Sequence, residues 1–406
     1  MIMRAKQDGK VVVFELEGHL EFESTVKFRD ACENILAKDK EARLVFNFQK
    51  LKFVGSSGIN HFITTMKHLL LLLPLLPIST GALHAAASPA GALDPHVEAV
   101  IRTVDGAKGK VERTADGKSL KLVDLAVPGA GPHDHRKDDP YDAAFFEHLG
   151  HVTSLESLQI ISTKFNDDWM PHLAKLTNLK SLRFVNNGKL SDAGLEHLAG
   201  LKGMTNFGYV GTAMQGHAFA KFTGWTQLTR VTFRGSSIDD EGLRLICERF
   251  PQLESLVLAH AKFTDAAAPG LAKLAKLKGL ELGTHNATPA SLQHIASLPI
   301  EYLQLGEGFD SPASLPYLKP LKTLKRLTIT NCKTFGDDDL KQIAALKSVE
   351  NLELGSLGLP EARLALLKDF AHLKALRVTP AGREKFSPEL QEAVKKILPA
   401  AALKFE

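Results

Sequence analysis

Two serines in the first quarter of the chain stand where a hydroxyl could carry chemistry. Ser56 and Ser57 lie between Gly55 and Gly58, after a predicted strand and at the predicted beginning of a helix. The amides and dipole of a helix N-terminus stabilise an anion. An added negative charge there could repel a partner. A serine at this place can equally do no more than cap the helix, and both interpretations stay open.

A loop with two histidines is the second place with chemically capable side chains. His133 and His135 flank Asp134, and two histidines around a carboxylate can ligate a metal. No further ligand stands at a defined spacing from them. We therefore expect a solvated loop and no metal site.

The cysteines and the known catalytic motifs give no further site. Cys32, Cys247 and Cys332 are scattered along the chain, which favours buried or inert thiols over a disulfide framework or metal ligands. There is no glycine-rich phosphate loop and no G-x-S-x-G or H-E-x-x-H motif. We predict no catalytic residue, no cofactor and no enzymatic activity.

The bulk composition sets only broad limits. At 406 residues the chain is long enough for more than one domain. It is 44% hydrophobic and 24% charged, as is ordinary for a soluble globular protein. Its formal net charge of +4 does not favour a nucleic-acid or membrane-surface protein.

A fixed period organises the chain from residue 155 to residue 378. The pattern L-x-x-L-x-L, with aliphatic or aromatic substitutes, occurs ten times there at intervals of 23 to 25 residues. The last two apolar positions of each triplet alternate as on a strand, so both point to one face. Most units continue into a short amphipathic helix, which Ser191 or Asp192 can begin in the second unit. Because one unit cannot bury its apolar face alone, the units must stack.

These residues resemble the leucine-rich-repeat family in its longer-repeat subtype. The resemblance implies an α/β solenoid over residues 107–396, with about ten to eleven repeats, parallel strands on the concave side and helices on the convex side. A degenerate opening unit lies at residues 120–125, and residues 387–398 read as a helical cap before the end at residue 406. The asparagine or cysteine of the family pattern is present as Asn187 and Cys332 and is replaced in the other units.

Strand residues that point away from the predicted core would line the concave face, the usual binding surface of such proteins. They form no basic stripe of the kind that binds nucleic acid, so a protein or glycan partner of unknown identity fits better. Each position can equally be a plain solvated one. The candidate partner-binding residues are Arg183, Asn206, Arg230, Glu281, Tyr302, Gln304, Arg326, Asn351, Glu353 and Arg377.

Residues 1–66 do not follow the repeat. Residues 11–16 and 43–48 read as strands, Gly18 as a turn, and residues 25–36 as a helix, and a second helix follows the serine pair. This order of elements resembles the STAS domain, the fold of bacterial anti-sigma-factor antagonists. It implies a small, partial α/β module that lacks the last strand and helix of the family.

The STAS resemblance also implies a role for the serine pair. In that family a partner kinase phosphorylates a serine at the start of the helix, and the charge switches binding to an anti-sigma factor. Ser57 matches that serine by position, and Ser56 precedes it. The family usually has aspartates where this chain has Gly55 and Asn47, and their loss weakens the implied switch.

Residues 67–106 join the two parts. Lys67 and His68 precede ten apolar residues at 69–78, and three alanines end at Ala87. A basic start, an apolar stretch and small residues are typical of a secretory signal peptide, cleaved here after Ala87. The apolar stretch is short for a membrane span. The alternative is that its leucines complete the N-terminal core.

The sequence thus favours a non-enzymatic scaffold that binds a macromolecular partner on the repeats. The alternative is a regulatory switch, phosphorylated on Ser57, with the repeats as its sensor and an anti-sigma factor or serine kinase as partner. A signal segment would export the repeats, whereas the STAS resemblance implies a cytoplasmic module. A natural fusion, a gene-start error and a deliberate joining of two coding sequences are all open explanations.

Overall fold

The computed structural model describes residues 2–8, 11–20, 43–53, 93–126, 139–162, 164–382 and 385–405. The chain divides into two compact units, Met1–Ala87 and Ser88–Glu406. The predicted helices of the first unit, Ser56 and Ser57, the apolar residues 69–78 and the histidine loop at 133–135 lie outside the described residues.

The described part of the first unit is a three-stranded sheet. Strands β1 (Ile2–Asp8) and β2 (Val11–Leu20) pair antiparallel, and β2 pairs parallel with β3 (Arg43–Phe53). A parallel pair needs a crossover connection, which agrees with the strand–helix–strand order of the prediction. The predicted turn at Gly18 is wrong, because β2 continues through it and Gly18 pairs with Leu51 beyond a register shift at residues 15–17.

The second unit carries a 13-stranded sheet in chain order. Its first two strands form an antiparallel hairpin, and every later strand pairs parallel with the one before it. This is the predicted repeat architecture. The strands are β4 (Lys110–Arg113), β5 (Leu120–Asp124), β6 (Ser157–Ile161), β7 (Ser181–Val185), β8 (Asn206–Val210), β9 (Arg230–Arg234), β10 (Ser255–Ala259), β11 (Gly279–Leu282), β12 (Tyr302–Leu305), β13 (Arg326–Ile329), β14 (Asn351–Leu357), β15 (Ala375–Pro380) and β16 (Ala402–Phe405).

One apolar cluster fills the space between the sheet and the helical segments. It takes in the buried leucines of every predicted triplet and runs from Val97 to Leu398. Aromatic rings occupy its N-terminal half, where the ring centroids of Phe146 and Phe165 lie 4.5 Å apart and those of Phe165 and Phe184 lie 5.8 Å apart. The continuous interior expected from the repeat is confirmed.

The helical segments are shorter and more tightly wound than the sequence predicts. The segment predicted as one helix from Ser191 is an α-turn at Asp192–Leu195 followed by a 3-10 helix at Glu196–Gly200. Prolines open the 3-10 segments at Pro289–Ile295 and Pro312–Leu318, where a missing amide is tolerated. The α-helices of this unit are α1 (Pro95–Gly106), α2 (Ala143–Gly150), α3 (Met170–Leu173), α4 (Asp192–Leu195), α5 (Asp240–Arg249), α6 (Asp337–Ala344) and α7 (Pro388–Ile397).

Both ends of the solenoid are closed by added elements. Helix α1, capped by the Asp94 side chain, buries Val100 and Val104 against the first strands. At the other end Ser387 caps the predicted helix α7. Strand β16 follows α7 and extends the sheet by one strand that the repeat pattern did not predict. No helix among the described residues is long and apolar enough to cross a membrane.

A ladder of left-handed residues ends the strands of four successive repeats. Asn186, Gly211, Gly235 and His260 have φ values of 56°, 65°, 63° and 56°. The amides of the first three donate hydrogen bonds of 2.8 Å to the last residue of the next strand. The left-handed conformation suits glycine and is uncommon for other residues, although asparagine and histidine adopt it more often than most.

A second ladder, made of aspartates, joins repeats on the helical side. Asp192 accepts hydrogen bonds from the amides of Gln215 and Gly216 at 2.8 and 2.9 Å. Asp265 accepts at 2.8 Å from both the amide and the hydroxyl of Thr288. Asp167 and Asp240 bind the following repeat in the same way. Each carboxylate satisfies groups that begin the next helical segment, so the ladder ties neighbouring units together.

We expect Asp265→Asn to lower the free energy of unfolding by about 1–2 kcal/mol at neutral pH, because an amide replaces a charged acceptor of three hydrogen bonds. Burial raises the pKa of Asp265, but the hydrogen bonds from Ser291 and Thr288 outweigh it and hold the pKa below its usual 3.8. The stabilisation is therefore present above that pH and lost as pH falls. Urea unfolding of wild type and variant should converge in acid.

The matched control is Asp168, an exposed aspartate next to Asp167 of the same ladder. Its carboxylate accepts no hydrogen bond from another described residue, so Asp168→Asn should leave the unfolding free energy unchanged at both pH values. An equal loss of unfolding free energy in the two variants would contradict the conclusion that the aspartate ladder joins neighbouring repeats.

Candidate functional site

The open face of the sheet, on the side away from the helical segments, is the candidate binding surface. Constant register aligns its outward residues in two columns across the strands, about 4.8 Å apart. The first column holds Ser157, Ser181, Asn206, Arg230, Ser255, Gly279, Tyr302, Arg326, Asn351, Ala375 and Ala402. The second holds Asp124, Gln159, Arg183, Gly208, Thr232, Val257, Glu281, Gln304, Thr328, Glu353, Arg377 and Lys404.

The structure brings all ten predicted face residues into these two columns. The middle of the face differs from the prediction in one respect, because Glu281 is only 6% exposed. Arg234, the last residue of β9, reaches past β10 and pairs with the carboxylate of Glu281 on β11. The residues between them, Val257 and Ala259, are small enough to allow this reach. Glu281 is thus covered by a residue of the face itself.

The carboxyl group of Glu281 is electrostatically unusual. Burial raises its pKa above the usual 4.5, and the nearby positive charge of Arg234 opposes that rise only in part. Arg234 is not among the residues predicted from the sequence, although it occupies the third outward position of β9 after Arg230 and Thr232. What the sequence could not show is its partner, 47 residues further along the chain.

Two histidines share one carboxylate beyond the ends of the strands. His260 Nδ1 lies 2.8 Å from Glu307 Oε2, and His285 Nε2 lies 3.3 Å from the same oxygen. The left-handed backbone of His260 places its ring at this position. These three residues are not among those predicted from the sequence, because they follow the strands rather than lie in them. No group of histidines, cysteines and carboxylates among the described residues is arranged to hold a metal ion.

Tyr302 and Arg326 form the most prominent contact of the first column. The guanidinium carbon of Arg326 lies 6.0 Å from the centre of the Tyr302 ring, a cation–π distance. The Tyr302 hydroxyl donates to Gln304 Oε1 at 2.7 Å. Burial, followed by the charge of Glu281, raises the pKa of the Tyr302 hydroxyl, so the phenol stays neutral and can act as a hydrogen-bond donor.

A shallow depression of about 310 Å³ lies at the C-terminal end of the open face. Arg377 pairs with Glu353 on its floor at 2.8 Å. Its polar and charged lining is completed by Arg326, Thr328, Asn351 and Lys404. Three positive side chains and one negative side chain therefore surround this space.

The buried cysteines have the inert character expected of them. Burial raises the pKa of Cys247 and of Cys332 to about 12. Neither thiol is ionised near neutral pH, and both lie in the apolar interior. They offer no nucleophile to the open face.

Two family models match separate parts of the chain. Residues 3–72 match the family model of the STAS domain, and residues 175–199 match a leucine-rich repeat model. Both resemblances are confirmed. The STAS match extends six residues beyond the predicted end at residue 66, into the apolar stretch. No curated protein matches the chain.

One solved structure similar to this chain is an internalin from Listeria monocytogenes str. 4b F2365. The two share 20% sequence identity with a TM-score of 0.41. The match covers 58% of this chain and 63% of the internalin chain, which is less than two thirds of that protein's length.

We expect Arg234→Met to lower the unfolding free energy by about 1–3 kcal/mol at neutral pH, because it leaves the buried carboxylate of Glu281 without the half-exposed cation that pairs with it. The pKa of Glu281 is already raised above 4.5, so protonation favours the folded state and ionisation opposes it as pH rises. The loss in Arg234→Met should therefore shrink below that pH. Urea unfolding at neutral and acid pH measures the difference.

The double variant Arg234→Met with Glu281→Gln completes a thermodynamic cycle. It removes both charges and should recover part of the stability that the single arginine substitution loses. Additive losses from the two single substitutions, with no coupling, would contradict a cooperative pair.

Proposed function

We propose that the repeat unit is a non-enzymatic scaffold that binds a protein partner across the open face of its sheet. The observation that carries the proposal is that the described helical segments of the second unit all lie on the other side of its sheet. Parallel sheets are normally covered on both sides, yet here the helical segments cover one side and two aligned columns of side chains occupy the other. An ordered and polar sheet face of this length, with no described helical segment of the second unit over it, is a surface suited to a macromolecule rather than to a small substrate.

The composition of the face supports a protein partner. Tyrosine, arginine and asparagine occupy neighbouring first-column positions at Tyr302, Arg326 and Asn351. Tyrosine and arginine are enriched where protein interfaces concentrate their binding energy. Both side chains are positioned by contacts within the face, which lowers the entropy lost when a partner binds.

We expect Ser255→Trp to abolish or strongly weaken partner binding while leaving the fold intact. Ser255 lies in the middle of the first column beside Gly279, and a large ring there would project into the space that a partner occupies. The measurement uses the full chain as bait in its native host, with photo-crosslinking from the open face and mass spectrometry of the captured protein. The same protein must then bind in purified form.

Ala272 supplies the matched control on the helical side. It is exposed in the 3-10 segment Ala268–Lys273, so Ala272→Trp adds the same ring to the opposite surface and should not alter binding. If Ser255→Trp binds the purified partner as tightly as wild type, the open face is not the binding surface.

We propose a phosphorylation switch in the first unit as a second candidate function. It is favoured by the STAS match, which spans Ser56 and Ser57. Gly55 and Asn47 stand where that family usually has aspartates, so the switch would operate without those two carboxylates. Asn47 itself lies in β3, paired with Glu15.

Phosphorylation at Ser57 can be tested directly on the full chain. We expect incubation with serine kinases of the native host to add one phosphate to the peptide that contains the serine pair, as seen by mass spectrometry. Ser57→Ala should abolish the modification and Ser56→Ala should retain it. Absence of phosphate under every condition, or its retention in Ser57→Ala, would exclude the proposed switch at Ser57.

A further inference from the structure

The positive charges of the second unit differ in whether they are paired within the chain. Lysines at the start of four strands each face a glutamate one repeat upstream, as in Lys325–Glu301 at 3.1 Å and Lys374–Glu350 at 2.8 Å. Lys180 and Lys278 are paired in the same way. The arginines of the open face follow a different rule.

Three face arginines have no charged partner in the described part of the chain. Arg183, Arg230 and Arg326 are exposed and form no ion pair with another described residue. Two of the three carboxylates of the columns, Glu281 and Glu353, are taken by Arg234 and Arg377. The columns together carry five positive and three negative side chains, a balance of two positive charges. The uncompensated charge is concentrated at the three arginines.

We propose that the open face binds an extended acidic segment of a protein partner, with carboxylates opposite Arg183, Arg230 and Arg326. This inference rests on the proposed scaffold function and specifies the chemistry of its partner. Charge complementarity is the observation that selects the occupant, since paired lysines surround the face and unpaired arginines lie on it.

The positions of the arginines set the spacing of the acidic residues. Arg183 lies on β7, Arg230 on β9 and Arg326 on β13. At about 4.8 Å between strands, the strands of the first two arginines are about 10 Å apart and those of the last two about 19 Å apart. Arg183 is in the second column and Arg230 in the first, and this offset of two residues along the strand lengthens the first separation to about 12 Å. An extended chain advances about 3.3 Å per residue. A segment running across the strands would place its carboxylates about four and then about six residues apart.

The stretch between Arg230 and Arg326 has room for a backbone. Ser255 and Gly279 lie between them in the first column, followed by Tyr302. A β-carbon at Gly279 would stand 3.8 Å from the Tyr302 ring and would fill the space over it. The Tyr302 ring in turn holds the guanidinium of Arg326.

Arg326 also forms one wall of the C-terminal depression, where Thr328 and Asn351 add hydroxyl and amide donors. A carboxylate at this point would meet a guanidinium that can bind it through two parallel hydrogen bonds. We expect Arg326 to be the strongest of the three contacts for this reason.

The face is poorly suited to a nucleic acid. Tyr302 is the single aromatic residue of the two columns, so successive bases would find no series of stacking platforms. The unpaired arginines lie two and four strands apart, so a continuous line of phosphates would find no matching series of cations. Separate carboxylates on a peptide can avoid them.

Fluorescence anisotropy on the full chain tests the inference with defined probes. The matched peptide carries three glutamates, separated by four and then six residues, on a serine and alanine background. The scrambled peptide has the same composition with adjacent glutamates. We expect the matched peptide to bind more tightly, and its affinity to fall with added salt.

Substitutions then locate the contacts. Arg326→Gln should weaken binding of the matched peptide roughly tenfold, and Arg183→Gln and Arg230→Gln should each weaken it several-fold. Lys325→Gln is the matched control, because Lys325 is the next residue along the chain, 58% exposed, and paired with Glu301. It should bind the matched peptide as wild type does.

Several outcomes overturn the inference. Equal affinity for the matched and scrambled peptides, no loss in any arginine variant, or an equal loss in Lys325→Gln would each do so. Tighter binding of oligothymidylate or of heparin than of the matched peptide would assign the face to a nucleic acid or a sulfated glycan instead. If Ser255→Trp blocks the native partner while the arginine variants bind it normally, the scaffold function stands and only the acidic partner is wrong.

Discussion

The shared apolar interior of the repeats is the constraint on which the rest of the second unit depends. Each repeat contributes two inward strand residues and a few from its helical segment, and no repeat encloses its own contribution. Burial is complete only because the neighbour on each side covers the exposed edge. The polar groups at the ends of strands and helical segments also depend on the adjacent repeat for their hydrogen bonds. The left-handed ladder and the aspartate ladder provide these bonds. Packing and hydrogen bonding therefore both act between repeats more than within them.

Close stacking also leaves little space between repeats on the helical side. A β-carbon added at Gly242 would overlap the carbonyl oxygen of Gln215, and one at Gly194 would overlap the carboxylate of Asp167. Each of these glycines lies two residues after an aspartate of the ladder. One short motif therefore supplies both the carboxylate that binds the following repeat and the glycine that lets the preceding repeat pack closely. The uniform interval between repeats follows from such contacts, and that interval aligns the residues of the open face.

The periodic elements of the second unit could be predicted from the sequence. Side-chain contacts between repeats that do not recur with the period could not. The triplets, the parallel strands, the capping serines Ser191 and Ser387 and the outward position of the ten face residues all follow from period and alternation. The pairing of Arg234 with Glu281 skips a strand, and the His260–Glu307 contact depends on a left-handed backbone that a histidine rarely adopts. Neither can be read from local pattern. Strand β16 was missed because a single strand after a helix carries no period.

Those irregular contacts determine the electrostatics of the face. A formal charge of +4 over the whole chain gives no sign of a positive surface, and the columns alone mix both signs. The net charge of each region of the face becomes clear only from its ion pairs, because Glu281 and Glu353 each pair with an arginine of the same face. Had Arg234 turned to solvent, Glu281 would lie as an open carboxylate between Arg230 and Arg326 and would repel an acidic segment there. The contact that covers Glu281 thus makes the middle of the face available to a partner, through a pair of residues that no repeat position requires.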